Sequence, residues 1–222
     1  MSEPLDPIHA EISEEQVQPP AGAARRCIDQ SLSLVGLFKQ KLEEVGGICL
    51  MAGSDSEVVA ILTSIISNLR ETPLRARRIA LSNATGLESF VKQSELDVDE
   101  IAICPGAAEL FGYDVGVSTA QAAIAETGTL VLESQSEKHR LVSLVPPVHI
   151  AIVEASSIVL TLGEALAAVN GGGLGKLSPT ITFITGPSRT ADIELTLAIG
   201  VHGPQELYVI VKDGGVDDNS AR

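Results

Sequence analysis

The chain has 222 residues, of which 45% are hydrophobic, 20% charged and 3% aromatic, with no Trp, and that length suits one domain with a sizeable core. Fifteen basic against 29 acidic residues leave a net charge of −14 and a pI near 4.6, so a duplex or an anionic membrane repels the chain and nucleic-acid binding is not expected. The longest stretch without a charged side chain, Leu141 to Val153, is too short to span a bilayer and is interrupted by Pro146 and Pro147.

The chain opens on acids (Glu3, Asp6, Glu11) where a signal peptide needs a basic start and an apolar run. Cys27, Cys49 and Cys104 are an odd number, far apart and without a CxxC pair, as in a reducing, cytoplasmic setting. Residues 1–26 read as a flexible, acidic, Pro-rich tail, 27–212 as one α/β domain, and 213–222 as a frayed end. Leu34, Phe38, Leu42 and Val45 form a helical stripe that Gly46-Gly47 stops. Ile48 to Met51 reads as a buried strand. Ser54 and Glu57 then form a capping box for a helix whose apolar face is Val58, Ile61, Leu62, Ile65, Ile66 and Leu69. Strands are expected at Arg78–Leu81 and Ile101–Cys104, with a short helix from about Leu87 to Ser94 between them.

The second half predicts strands at Thr129–Leu132, Val148–Val153, Thr180–Thr185 and Leu207–Val211, and helices at about Leu162–Val169 and Thr190–Ala198. Apolar strands alternating with amphipathic helices predict an α/β fold, an open, mostly parallel sheet with helices on both faces.

Several chemistries are excluded by spacing. The run Asn170-Gly171-Gly172-Gly173-Leu174-Gly175-Lys176-Leu177 lacks the first glycine and the final hydroxyl of a P-loop, and it follows a helix where a Rossmann turn follows a strand. It reads as a surface loop. His9, His139, His149 and His202 never pair at ligand spacing, so no metal site is expected, and three scattered cysteines cannot supply the four thiolates of an iron–sulfur cluster. There is no GxSxG elbow.

Three segments retain chemical interest. In Ala122 to Leu132, Glu126 is the one carboxylate in a run of small and apolar residues, beside a turn that Gly128 eases. Buried, it would be a candidate general acid, base or nucleophile; otherwise it is a turn residue. In Arg140 to Glu154, Pro146-Pro147 fixes the entry to a strand, through a cis or a trans bond, and His149 starts that strand as a functional group or as a satisfied core imidazole. In Thr185 to Glu194, Gly186, Ser188, Arg189 and Thr190 at a helix N-terminus suit a carboxylate or phosphate, or Ser188 merely caps the helix. His202, in the turn Gly200 to Pro204, stands near in sequence.

The strings Ala-Glu-Thr-Gly-Thr (125–129), Leu-Val-Pro-Pro-Val-His-Ile (144–150), Thr-Gly-Pro-Ser-Arg-Thr-Ala-Asp-Ile-Glu (185–194) and Gly-Val-His-Gly-Pro (200–204) together resemble the lactate-utilisation protein C family, the LUD domain. Up to about Ser118 the likeness is confined to the α/β pattern, and Gln121 stands where the family often carries an acid. The resemblance implies the fold of sugar-phosphate isomerases and CoA transferases, with a site beyond the strand ends. It also implies a cytoplasmic role in oxidising L-lactate to pyruvate beside iron–sulfur partner proteins, this chain binding no cofactor itself. Glu126 and His149 are then the catalytic candidates, and Thr127, Gly128, Thr129, Gly186, Ser188, Arg189, Thr190 and His202 the candidates for holding a small carboxylate. Two other readings stay open: a stand-alone CoA-thioester or phosphosugar enzyme with Glu126 as nucleophile or base, and a catalytically silent scaffold.

Overall fold

The computed structural model describes residues 33–94, 96–134, 140–169, 178–191, 197–199 and 203–214, all within one compact unit. The expected N-terminal tail, the glycine loop at 170–177 and most of the C-terminal stretch lie outside these residues.

The first helix, α1 (Leu34–Glu44), starts at Ser33, whose Oγ accepts from Gly36 N at 3.1 Å. Phe38 and Leu42, one turn apart, are fully buried, and Gly46 ends the helix at φ +87°. Strand β1 (Ile48–Ala52) leads to α2 (Asp55–Arg70), where Ser54 Oγ accepts from Glu57 N and Glu57 returns a carboxylate oxygen to Gly53 N at 2.7 Å. Val58, Leu62, Ile65, Ile66 and Leu69 of α2 are buried as the periodicity predicts. Then come β2 (Arg78–Leu81), α3 (Leu87–Gln93) and β3 (Glu100–Ile103).

Strand β4 (Val115–Ala120) is followed by a hairpin of β5 (Ala122–Ile124) and β6 (Thr129–Glu133), then β7 (Val148–Glu154), a short β8 (Ile158–Val159) and α4 (Leu162–Val169). The chain continues through β9 (Ile181–Ile184), β10 (Arg189–Ala191), β11 (Leu197–Ile199) and β12 (Glu206–Lys212).

Six strands form an open, parallel sheet in the order β1-β12-β7-β4-β2-β3. Its alternate side chains build two cores. On one face Ile79, Leu81, Val115, Val117, Val148, Ile150, Ile152 and Ile210 pack with α2 and α3. On the other, Ala151, Val153, Leu207, Val209 and Val211 pack with Phe38 and Leu42 of α1 and with Leu130 and Leu132 of β6. Helices therefore cover both faces, and the second is shared with a small mixed sheet, β8-β5-β6-β9.

Two expectations fail here. The segment read as a helix over Thr190–Ala198 is an antiparallel pair, β10 with β11, in which Arg189 faces Ile199 and Ala191 faces Leu197. Its sequence explains why: apolar Ala191, Ile193, Leu195, Leu197 and Ile199 alternate with Thr190, Asp192, Glu194, Thr196 and Ala198, the period of a strand. Strand β1, read as buried, is an edge strand with Ile48 41% and Met51 43% exposed, since a neighbour covers it on one side alone.

Candidate functional site

The parallel register fixes where the polar side chains of the central strands meet. His149 on β7 lies opposite Gly116 on β4 and Leu207 on β12. It points to the second face because Val148 and Ile150 point to the first. Gly116 is required there, for a Cβ would run into the carbonyl of Val142, in the 3₁₀ turn Arg140–Ser143. Ser118, two residues along β4, shares that face and its Oγ lies 2.8 Å from His149 Nε2. Both side chains are buried, His149 completely.

Burial alone pushes the imidazole down to about 3, so the ring is neutral at ordinary pH. Its second nitrogen, Nδ1, is buried without a hydrogen-bond partner among the described residues. The entry to β7 through Pro146 and Pro147 contains no cis peptide; Pro147 O accepts from Gln205 N at 2.7 Å, which ties it to the start of β12.

His149 lines a cleft of about 320 Å³ at the amino ends of β7 and β12, walled by Ser143, Leu144, Phe183, Gly203 and the segment Thr185 to Arg189. Ser188 N donates to Pro204 O at 2.7 Å, which closes that segment against the turn before β12. Gly186, at φ +75°, brings its backbone onto Val45 at the end of α1, where a Cβ would lie 2.7 Å from the Val45 carbonyl oxygen. Arg189 projects from β10 over Gly46, close enough that a side chain at Gly46 would strike the guanidinium. Its own side chain is exposed and has no carboxylate partner among the described residues.

The β5–β6 turn reaches the same place. Gly128 (φ +65°) presses its backbone against Lys41 and Leu42 of α1, leaving no room for a Cβ. Thr127, Thr129 and Thr185 then form a chain of hydroxyls, 2.7 Å from Thr127 to Thr129 and 2.8 Å from Thr129 to Thr185, whose last member lines the cleft. Gln121 is engaged within the small sheet, its Oε1 accepting from Glu133 N at 2.8 Å.

The structure thus gathers His149, Thr129, Gly186, Ser188 and Arg189, with Thr127 and Gly128 behind them. Of the two readings of Glu126, the turn residue is the one its surroundings match: it is exposed and has no donor to its carboxylate among the described residues. Its backbone N–H donates to Leu160 O at 3.2 Å, and the desolvated carboxylate that would serve as acid or base is not formed. Ser188 caps no helix, because a strand follows it, and the anion site loses its helix dipole while keeping Arg189. Thr190 holds a backbone place opposite Ala198; its side chain, His202 and residues 192–196 lie outside the described part of the chain. Sequence reasoning does not single out Ser118 or Ser143; the alternation of β4, with Val115 and Val117 facing one way, is the signal that pairs Ser118 with His149.

Among the described residues no group of His, Cys, Asp or Glu is placed to hold a metal ion, and no helix is long and apolar enough to cross a membrane.

Residues 35–211 match the family model of the LUD domain. Lactate utilization protein C of Geobacillus thermodenitrificans is 42% identical over 82% of this chain and 70% of its own length. The protein of the same name in Shouchella clausii is 42% identical over 45% of this chain. That alignment spans 44% of the Shouchella protein, under half of its length. A crystal structure of a DUF162 family protein from Deinococcus radiodurans superposes with a TM-score of 0.60 at 24% identity, over 82% of this chain and 99% of that one, which extends the likeness of fold.

Proposed function

This chain belongs to the LUD domain family and is a homologue of lactate utilization protein C, and from that premise we propose that it is a cytoplasmic, non-redox subunit of an iron–sulfur-dependent system oxidising L-lactate to pyruvate. The observation that carries the reading is the meeting of three family strings at one cleft, with an arginine at its mouth that no described carboxylate neutralises. In a chain of net charge −14, a cation without an internal partner, beside buried polar groups, suits a small anionic ligand. In this role Arg189 and Ser188, with Thr190 and His202 nearby in sequence, hold a small carboxylate. Thr127, Gly128, Thr129 and Gly186 shape the walls, and His149 forms the floor.

The electrons of lactate pass in this scheme to iron–sulfur proteins that are separate chains, whose clusters supply the redox chemistry. A thioester or phosphosugar enzyme with Glu126 as nucleophile gains no support from an exposed turn carboxylate. The test is anaerobic capture of the tagged chain from its own cells. Co-elution of Cys-rich proteins carrying a visible iron–sulfur spectrum, with lactate-dependent reduction of a dye by the eluate, is the expected result. A colourless eluate without that activity overturns the subunit role.

A further inference from the structure

We propose that β3, an edge strand of the six-stranded sheet, pairs antiparallel with β3 of a second copy of this chain, joining two sheets across a two-fold axis beside Ala102.

The register of β3 on β2 decides which of its backbone groups stay open. Glu100 N donates to Arg77 O at 3.3 Å and Cys104 N to Leu81 O at 2.8 Å. The backbone groups of Glu100, Ala102 and Cys104 therefore turn inward to β2, and those of Ile101 and Ile103 turn outward. Among the described residues β3 has no strand on that outer side. Such an edge is a template for another strand, and β3 itself contains neither the lysine nor the proline that commonly guards one. A two-fold axis beside Ala102 sets Ile101 opposite Ile103 of the second copy, each pair exchanging both of its backbone hydrogen bonds. The side chains match as well. Ile101 and Ile103, 42% and 47% exposed, share one face of the strand. With Leu81, Glu88, Val91 and Lys92 they line a groove of about 200 Å³. In the joined sheet the isoleucines of the two copies lie side by side and cover one another.

Charge names a second copy as the occupant. Helix α3 carries the chain from the carboxyl end of β2 to the amino end of β3. Glu88, in its first turn, thus lies toward Ile103, and Lys92, in its last, toward Ile101. The two-fold axis exchanges these ends, so Glu88 faces Lys92 of the second copy and Lys92 faces its Glu88. Asp97, Asp99 and Glu100 are already matched by Arg70, Arg77 and Arg78, which lowers the repulsion here between two chains of net charge −14. The opposite edge lacks this self-complementarity. On β1 the exposed Ile48 and Met51, an odd number of residues apart, point to opposite faces. The groove beside β1 has no charged side chain to set an orientation.

The experiment is sedimentation equilibrium of the full chain from about 1 to 300 μM, a range suited to a small interface. A reversible monomer–dimer equilibrium is expected. Ile101→Lys places a charge on the open edge and is expected to weaken dimerisation about tenfold or more. Glu88→Lys and Lys92→Glu, both at exposed positions, each set like charges face to face and are expected to weaken it about tenfold. An equal mixture of those two variants is expected to recover dimers, because each then meets the opposite charge. Should Ile101→Lys not fold, this mixture decides. A monomer throughout the range overturns the proposal, including one whose edge is covered by residues 1–32. So does a dimer that folded Ile101→Lys leaves intact, or a mixture that associates no more tightly than either variant alone.

Discussion

The hydroxyls of Thr129 and Thr185 lie 2.8 Å apart although 56 residues separate them. Thr129 ends the turn of the β5–β6 hairpin and is buried, and Thr185 follows β9, which pairs with β6. The pair is therefore the point at which two motifs, distant in sequence, become one wall of the cleft. Replacing Thr129 with Val keeps the shape and removes both of its hydroxyl links. A loss of about 1 kcal/mol in unfolding free energy is expected, read from urea titration. Thr127→Val, at an exposed position, should cost less; equal costs would mean that the chain of hydroxyls does not hold the wall.

The approach of this turn to α1 depends on one missing side chain. Gly128 combines φ +65° with backbone contact to Lys41 and Leu42. Gly128→Ala adds left-handed strain to a backbone collision, and a loss of about 2–4 kcal/mol is expected. Gly86, at φ +85° but with nothing within 4 Å of the place a Cβ would take, isolates the strain alone at about 1 kcal/mol. Thermal unfolding of the two alanine variants side by side measures the difference, and a Gly128 variant as mild as the Gly86 one would count against close packing of the turn on α1.

Much of this architecture is legible in the chain because local periodicity and burial agree. The faces of α1 and α2, the Ser54–Glu57 box and the strands expected at 78–81, 148–153 and 207–211 follow from local periodicity and apolar runs, the last two strands extending in the fold to 148–154 and 206–212. The hairpin of β10 and β11 is misread because Glu194, Leu195, Leu197 and Ala198 are good helix formers and Ser188 imitates a cap, which masks the two-residue alternation. Strand β4 is missed because Gly116, Ser118, Thr119 and Ala120 dilute its apolar signal; Gly116 and Ser118 are small because the Arg140–Ser143 turn and the His149 ring lie against them. The unmet Nδ1 of His149 is beyond any sequence pattern, since it depends on which neighbour β4 places across from the ring.

Cys49 sits 4% exposed between α1 and the sheet, and burial pushes its thiol up to about 11. The thiolate is the reactive form, so Cys49 should resist iodoacetamide at about pH 8 in the native protein and react once urea unfolds it. Peptide mass spectrometry reads this residue separately from the other two cysteines. Alkylation of Cys49 at the same rate in both states would refute the buried, protonated thiol.

His149 makes stability depend on pH in a definite direction. Its folded value is depressed to about 3 from an ordinary 6.5, so the unfolded chain binds a proton that the folded chain refuses. The contribution is fully present above pH 6.5 and falls away as the pH drops, by about 1.4 kcal/mol per pH unit below that point. The lowered carboxyls of Glu44, bonded by Lys41 and Gln40, and of Glu100, bonded by Tyr113 and Arg78, also favour the fold at higher pH. They act below the ordinary carboxylate range, so the interval from pH 6.5 down to about 5 reports chiefly on the histidine. Urea unfolding across that interval should show the slope in the natural chain and lose most of it in His149→Gln. Should that variant not fold, NMR of the natural chain decides: the His149 ring is expected to stay neutral until acid unfolds the protein. Protonation of the ring near about pH 6 in the folded state would place it in contact with water and remove the basis of both the pH dependence and the unpaired floor of the cleft.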